Sequence, residues 1–146
     1  MRDRDLREPV QPQSRGEDGV RTWDYEIYVP PYIACGQVRP VITSVNGGQT
    51  TIGYGQEFGV QFTIAPGSVV DKVVLMRPGA VTHGFCSDQR YLELAPGQQP
   101  RPPGEIRAKM PAGNPSTSSW APPGWYMLFL VTSSGTPSVA AWVNLQ

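Results

Sequence analysis

The sequence predicts an all-β chain, folded as an immunoglobulin/fibronectin-like antiparallel β-sandwich of roughly seven or eight short strands. Three observations carry this. Glycine and proline supply 16 residues each in a chain of 146, so turns come often. Charged residues make up only 16%, below the roughly 25% of ordinary soluble domains, which argues against a helical bundle and a charged disordered chain. Apolar residues recur at period two, and no stretch keeps them at i, i+3, i+4 and i+7 through three turns, so little helix is expected.

The elements follow in order. Residues 1–24 hold five arginines and six acidic residues, eleven of the chain's 24 charges, with little to bury against the entropy of ordering. They are expected to form a polar tail before a single domain of residues 25–146. Residues 25–29 read as a short edge strand halted by Pro30-Pro31, which cannot donate ladder hydrogen bonds. Residues 41–43 are extended and run into Asn46-Gly47-Gly48, a turn signal. Residues 57–64 are the clearest strand, with Phe58, Val60, Phe62 and Ile64 alternating with Glu57, Gly59, Gln61 and Thr63.

Residues 70–76 form a β-branched run closed by Arg77-Pro78-Gly79. Residues 90–94 and 105–110 follow, the latter with Ile106, Ala108 and Met110 on one face. The proline- and glycine-rich stretches 95–104 and 111–124 read as long surface loops. Residues 124–132 are apolar on both faces, as a central strand would be. Through Ser133-Ser134-Gly135 they form a hairpin with residues 139–145, where Val139, Ala141, Val143 and Leu145 share one side.

Composition excludes several functions. The net charge is +0 and the pI about 6.6, which gives no electrostatic basis for nucleic-acid binding. No apolar run approaches the ~20 residues of a membrane span, and the first residues lack the apolar core of a secretory signal, so localisation stays open. Cys35 and Cys86 make no disulfide framework, and whether they pair depends on their separation.

His83 is the one histidine, so any metal site or histidine-based catalysis must use it. No serine sits in a Gly-x-Ser-x-Gly elbow. His83-x-x-Cys86 is half of a zinc spacing without a second pair. Weighed against chemistry are plainer roles: His83 capping a turn through a backbone hydrogen bond, and Asp88 with Arg90 as a structural ion pair. Trp23, Trp120, Trp125 and Trp142 could stack a sugar or serve as ordinary strand residues. Asn46-Gly47-Gly48 and Gly53-Tyr54-Gly55 lead into no helix, so neither is a phosphate loop.

Several blocks then occur together in order. They are Pro30-Pro31-Tyr32, Arg39-Pro40-Val41-Ile42, Tyr54-Gly55, and Val74 to Phe85 continuing through Asp88-Gln89-Arg90. The last are Pro122-Pro123-Gly124-Trp125-Tyr126-Met127-Leu128-Phe129 and Gly135-Thr136-Pro137-Ser138-Val139-Ala140. With these the chain resembles the C-terminal domain of galactose oxidase and glyoxal oxidase, the radical-copper oxidases. The resemblance implies an early-set, immunoglobulin-like sandwich that in family members follows a seven-bladed kelch propeller. It also implies that one loop enters the propeller's axial channel and delivers a histidine to copper.

At the matching position stands His83, within a docking loop of Thr82, His83, Gly84, Phe85, Asp88, Gln89 and Arg90. The family's tyrosinates, Tyr–Cys cofactor and second histidine lie on the propeller, and Cys86 stands where relatives usually have asparagine. The isolated chain is therefore expected to hold no cofactor by itself, with copper entering only alongside a kelch partner. The expected function is a non-catalytic accessory or protein-interaction subunit, with residues 1–24 as an arm on the protein partner. One alternative is the C-terminal module of a copper-radical oxidase that yields hydrogen peroxide and supplies His83 to a propeller. A second alternative is a carbohydrate-binding module.

Overall fold

The structure, a computed structural model, describes residues 27–34, 36–97, 104–114, 116 and 119–146. The expected tail at residues 1–24, Trp23 and Cys35 lie outside the described residues. The alternating pattern becomes eleven extended segments: β1 (Val41–Val45), β2 (Thr51–Ile52), β3 (Glu57–Thr63), β4 (Val70–Arg77), β5 (Val81–Thr82), β6 (Phe85–Cys86), β7 (Arg90–Glu93), β8 (Ala95–Pro96), β9 (Glu105–Lys109), β10 (Gly124–Thr132) and β11 (Ala141–Leu145). Seven of them have four or more residues, in line with the expected number.

They form a four-stranded sheet in the order β1-β3-β9-β8, a five-stranded sheet in the order β2-β11-β10-β4-β7, and the separate ribbon β5-β6. Pairing is antiparallel except between β2 and β11, where Thr51 opposes Asn144 and Ile52 opposes Leu145 in parallel. The core lies between the two sheets. Phe58, Val60, Ile106 and Ala108 from the first meet Val73, Leu75, Tyr126, Leu128, Leu130, Val143 and Leu145 from the second. On β10 the even-numbered residues Tyr126, Leu128, Leu130 and Thr132 are buried, while Trp125 stays half-exposed on the outer face. Period-two geometry turns one apolar run into an inner and an outer face.

Three expectations need correction. The edge strand expected at residues 25–29 does not form in its described part, since residues 27–30 are irregular and lead into a short helix, α1 (Pro31–Ala34). Pro31 occupies the first helical position, where its missing N–H costs nothing and its fixed φ suits the turn. The amides of Ile33 and Ala34 both reach the Pro30 carbonyl at 2.9 Å. Secondly, stretch 95–104 is not loop throughout, because β8 pairs with β9 through Ala95↔Lys109 and Pro96↔Ala108.

Thirdly, Val139 does not share the inner face with Val143 and Leu145; it is 68% exposed. The β10–β11 register pairs Leu128 with Ala141, but the bridge beyond it pairs Val131 with Pro137, a slip of one residue. Ser138 takes the inward place opposite Leu130, whose amide donates to Ser138 Oγ at 3.0 Å. A one-residue slip sends the next side chain to the other face. Thr132, Thr136 and Ser138 are buried there. Thr136 N donates to Thr132 Oγ1 at 3.0 Å, and Thr132 N donates to Thr136 O at 3.0 Å, which offsets the cost of burying polar groups.

Tyr126 stands near the start of β10, and its hydroxyl donates to the Pro122 carbonyl four residues upstream at 2.7 Å. This is the tyrosine-corner arrangement of immunoglobulin-like sandwiches. Tyr54 adds a second tie to the same loop, donating to Ala121 O at 2.6 Å. Among the described residues, no helix is long and apolar enough to cross a membrane.

Candidate functional site

The site is the ribbon between β4 and β7, which carries Thr82, His83, Gly84 and Phe85 of the expected docking loop, while Asp88 and Gln89 follow it and Arg90 opens β7. Val81 opposes Cys86 and Thr82 opposes Phe85, so His83 and Gly84 are the two central residues of the turn. Both have positive φ, 51° for His83 and 82° for Gly84. That is the requirement of a type I′ turn, whose twist matches a two-stranded ribbon. Glycine meets it freely; histidine is one of the few other residues that enter left-handed φ with any frequency, and asparagine suits the position better.

The whole ribbon stands in solvent. Val81 is 76% and Phe85 75% exposed. Residues opposite each other share a face, so Val81 and Cys86 look one way while Thr82 and Phe85 look the other. An isolated two-stranded ribbon is marginal in water, and this one shows an apolar side chain on each face. Thr82 Oγ1 and His83 Nδ1 are 2.7 Å apart. The ring is thus engaged at Nδ1 by a side chain rather than by the backbone contact expected of a simple turn cap.

Below the ribbon, Arg77 ends β4 on the core-facing side. Its Nε reaches Asp88 Oδ2 at 3.0 Å, its Nη1 donates to Pro122 O at 3.1 Å and to Pro123 O at 3.2 Å, and its guanidinium lies 5.7 Å from the centre of the Tyr126 ring. Desolvation alone lowers the Arg77 pKa. The Tyr126 hydroxyl and the Asp88 carboxylate more than offset it, and the net shift is upward. The guanidinium therefore stays charged and ties the root of the ribbon to the loop before β10. At this root a Cβ on Gly79 would meet Cys86 Sγ, so a larger residue there requires the exposed thiol to turn aside.

The ion pair expected between Asp88 and Arg90 is thus corrected: Asp88 pairs with Arg77. Arg90 instead donates through Nη1 to Ser87 O and Gln89 O, both at 3.3 Å. The carboxylate prefers Arg77 because that side chain is held in place by two further carbonyls. Thr82, His83, Gly84, Phe85 and Gln89 are exposed, while Asp88 and Arg90 are partly buried at the base. Cys86 is an exposed thiol.

Sequence reasoning missed Arg77 and Tyr126 as supports. The signals present were a tyrosine two residues after Gly124 at a strand start, and a His-Gly pair between β-prone residues. Of the tryptophans, Trp125 and Trp142 share the outer face of the five-stranded sheet. Met127 stands directly opposite both Trp142 and Met76, and Met76 opposite Tyr91. Trp120 lies apart, beside a groove of about 350 Å³ that includes Glu93, Lys109 and Met110.

Among the described residues, no group of three or more His, Cys, Asp or Glu could hold a metal ion. What the ribbon offers is one imidazole, whose Nε2 lies opposite the nitrogen engaged by Thr82. One neutral imidazole suits copper(II) as a single ligand and needs others to complete a site.

Comparison with known proteins bears on the family and the fold. The family described as galactose oxidase-like, early set domain matches residues 39–145. Aldehyde oxidase GLOX1 of Arabidopsis thaliana is 30% identical over 125 residues, covering 82% of this chain and 20% of that protein. Galactose oxidase of Gibberella zeae is 29% identical over 140 residues, covering 89% of this chain and 18% of that protein. The chain thus spans about a fifth of the length of these curated relatives. A fungal alcohol oxidase solved in complex with copper superposes with a TM-score of 0.64 at 28% identity, over 80% of this chain and 23% of that one.

Proposed function

The chain belongs to the galactose oxidase-like early set domain family, and from that premise we propose that it presents His83 to a copper ion whose other ligands stand on a kelch propeller outside these 146 residues. The observation that carries the reading is the His83-Gly84 turn. An imidazole sits in left-handed backbone at the tip of an exposed ribbon, where asparagine would serve the turn better. A strained residue at a ribbon tip favours a chemical role over a structural one.

The ribbon's apolar side chains support the same reading. Val81 and Phe85 face opposite ways and are about three-quarters exposed, so a flat partner would cover only one of them. A channel wall surrounding the ribbon covers both. In such a complex the chain binds, orients and shields: the ribbon excludes water, Thr82 holds the ring, and Arg77 with Asp88 sets the ribbon's direction. Copper would supply the one-electron chemistry by which an alcohol or aldehyde is oxidised and dioxygen reduced to hydrogen peroxide.

The test combines this chain, a kelch propeller from the same protein or a candidate partner, and copper(II), with hydrogen peroxide release from an alcohol or aldehyde as readout. Activity that needs the chain and vanishes with His83→Asn supports the proposal. Unchanged activity in that variant overturns it.

A second reading rests on Cys86, an exposed thiol three residues from His83. Thiols next to redox copper are oxidised readily, which suits a non-catalytic accessory domain docked by the same ribbon. In that case propeller binding survives His83→Asn, and no peroxide is released by either form.

A further inference from the structure

We propose that Thr82 is the positioning residue for the His83 imidazole, selecting Nε2 as its metal-facing atom. The inference rests on the ligand role proposed above for His83. It starts from the 2.7 Å contact between Thr82 Oγ1 and His83 Nδ1. Thr82 precedes the turn, with its backbone held in β5 opposite Phe85, and a β-branched side chain keeps few χ1 rotamers. Its hydroxyl therefore has few positions to occupy, and in this one it meets the ring.

A neutral imidazole carries one N–H, and only the nitrogen without it has a lone pair for a metal. Metal at Nε2 requires the proton on Nδ1. A hydroxyl accepts that N–H as readily as it donates to a bare nitrogen, so Thr82 supports the ring before and after the proton changes nitrogen, its own hydrogen turning away. Metal at Nδ1 would have to displace the hydroxyl. Thr82 therefore blocks one donor atom, fixes the ring's rotation and leaves the other donor at the tip. Such outer partners commonly change metal affinity by about 10–100-fold.

The experiment uses the full chain labelled with 15N, in which the single histidine gives an unambiguous long-range 1H–15N imidazole pattern. Zinc(II) in excess is the probe, being diamagnetic and bound by imidazole nitrogen. Wild type and Thr82→Ser are expected to take zinc at Nε2 with the proton on Nδ1. Thr82→Val is expected to show zinc on both nitrogens and an affinity lower by roughly tenfold or more, and His83→Asn gives the blank.

Two results overturn the inference: zinc at Nδ1 in the wild type, or a Thr82→Val spectrum and affinity equal to those of the wild type. The first needs no variant, so a poorly folded Thr82→Val leaves the inference open to refutation. The spectra read the ring in this chain alone. A ring locked by Thr82 in a chain that restores no oxidase activity counts for this role and against the copper assembly.

Discussion

Arg77 and Asp88 meet at 3.0 Å, Nε to Oδ2, and close the base of the ribbon that carries His83. The residues between them include every exposed position of the ribbon, so the pair sets where the imidazole points. Asp88 is only partly shielded, its side chain 37% exposed against 19% for Arg77. The pair's strength lies in geometry, because Arg77 is already held by Pro122 O and Pro123 O.

Arg77→Met takes the guanidinium donor from the Pro123 carbonyl and the Asp88 carboxylate and leaves Pro122 O with only its bond from Tyr126. Unsatisfied groups of this kind cost about 1–3 kcal/mol. Urea denaturation of the variant is expected to show a loss in that range, with faster amide exchange across Val81 and Cys86. Asp88→Asn keeps a hydrogen-bond acceptor and is expected to lose less. Equal losses in the two variants would place the stabilisation in the charge rather than in the carbonyl contacts.

His83→Asn creates Asn-Gly at the tip, the pair best suited to a type I′ turn. The melting temperature is expected to hold or rise, by an amount corresponding to at most about 1 kcal/mol. Zinc(II) binding at the ribbon disappears in the same protein. A marked fall in melting temperature would show that the imidazole supports the fold and would return His83 to a structural role.

Tyr126 is fully buried, and two separate contributions can be read from it. Tyr126→Phe removes the hydroxyl bond to Pro122 O, which Arg77 still contacts, and is expected to cost about 0.5–1.5 kcal/mol. Tyr126→Ala also opens a cavity under Arg77 and is expected to cost about 3–5 kcal/mol. Paired denaturation curves check both values. A phenylalanine variant as damaged as the alanine one would mean that the corner hydrogen bond, and not the ring, holds this loop.

On the outer face, Lys72 Nζ lies 3.1 Å from Glu93 Oε2. The hydrogen bond and then the charge of Glu93 raise the lysine above its ordinary 10.5, against a small desolvation effect. A cation whose folded pKa is raised contributes stability below the ordinary value and loses it as pH rises through the folded value. The melting difference between wild type and Lys72→Met is therefore expected to be steady near neutrality and to shrink above pH 10.5. It should also shrink with added salt, as for any solvent-facing pair. A difference that persists unchanged into strong alkali would assign it to packing of the lysine stem.

Much of the sandwich is legible in the residues because burial follows period two. Glu57 to Thr63 and Gly124 to Thr132 form where alternation and apolar richness call for strands. What escapes is set by contacts distant in sequence. Val139 looks inward by counting from Val143, but the slip between Leu128↔Ala141 and Val131↔Pro137 turns it out. Ala95–Pro96 look like loop until β9 arrives to pair with them. At the site, the residue blocks identify His83 and its loop, but not the type I′ turn, the Thr82 contact or the Arg77 hub. Those depend on a register and on a carbonyl cluster that no local pattern encodes.

The parallel pairing of Thr51 with Asn144 carries one last implication. β11 lies between β10 and β2, so β2 has no neighbour until the final strand is delivered. A ribosome that has released everything through Thr132 still holds an open half-sheet with Ile52 unsheltered. Closure of this sandwich thus comes after its other strands are made, waiting on the seam that Asn144 and Gln146 sew to Thr50 and Ile52. A chain stalled just before that seam would offer newly made apolar edges to chaperones and to other copies of itself.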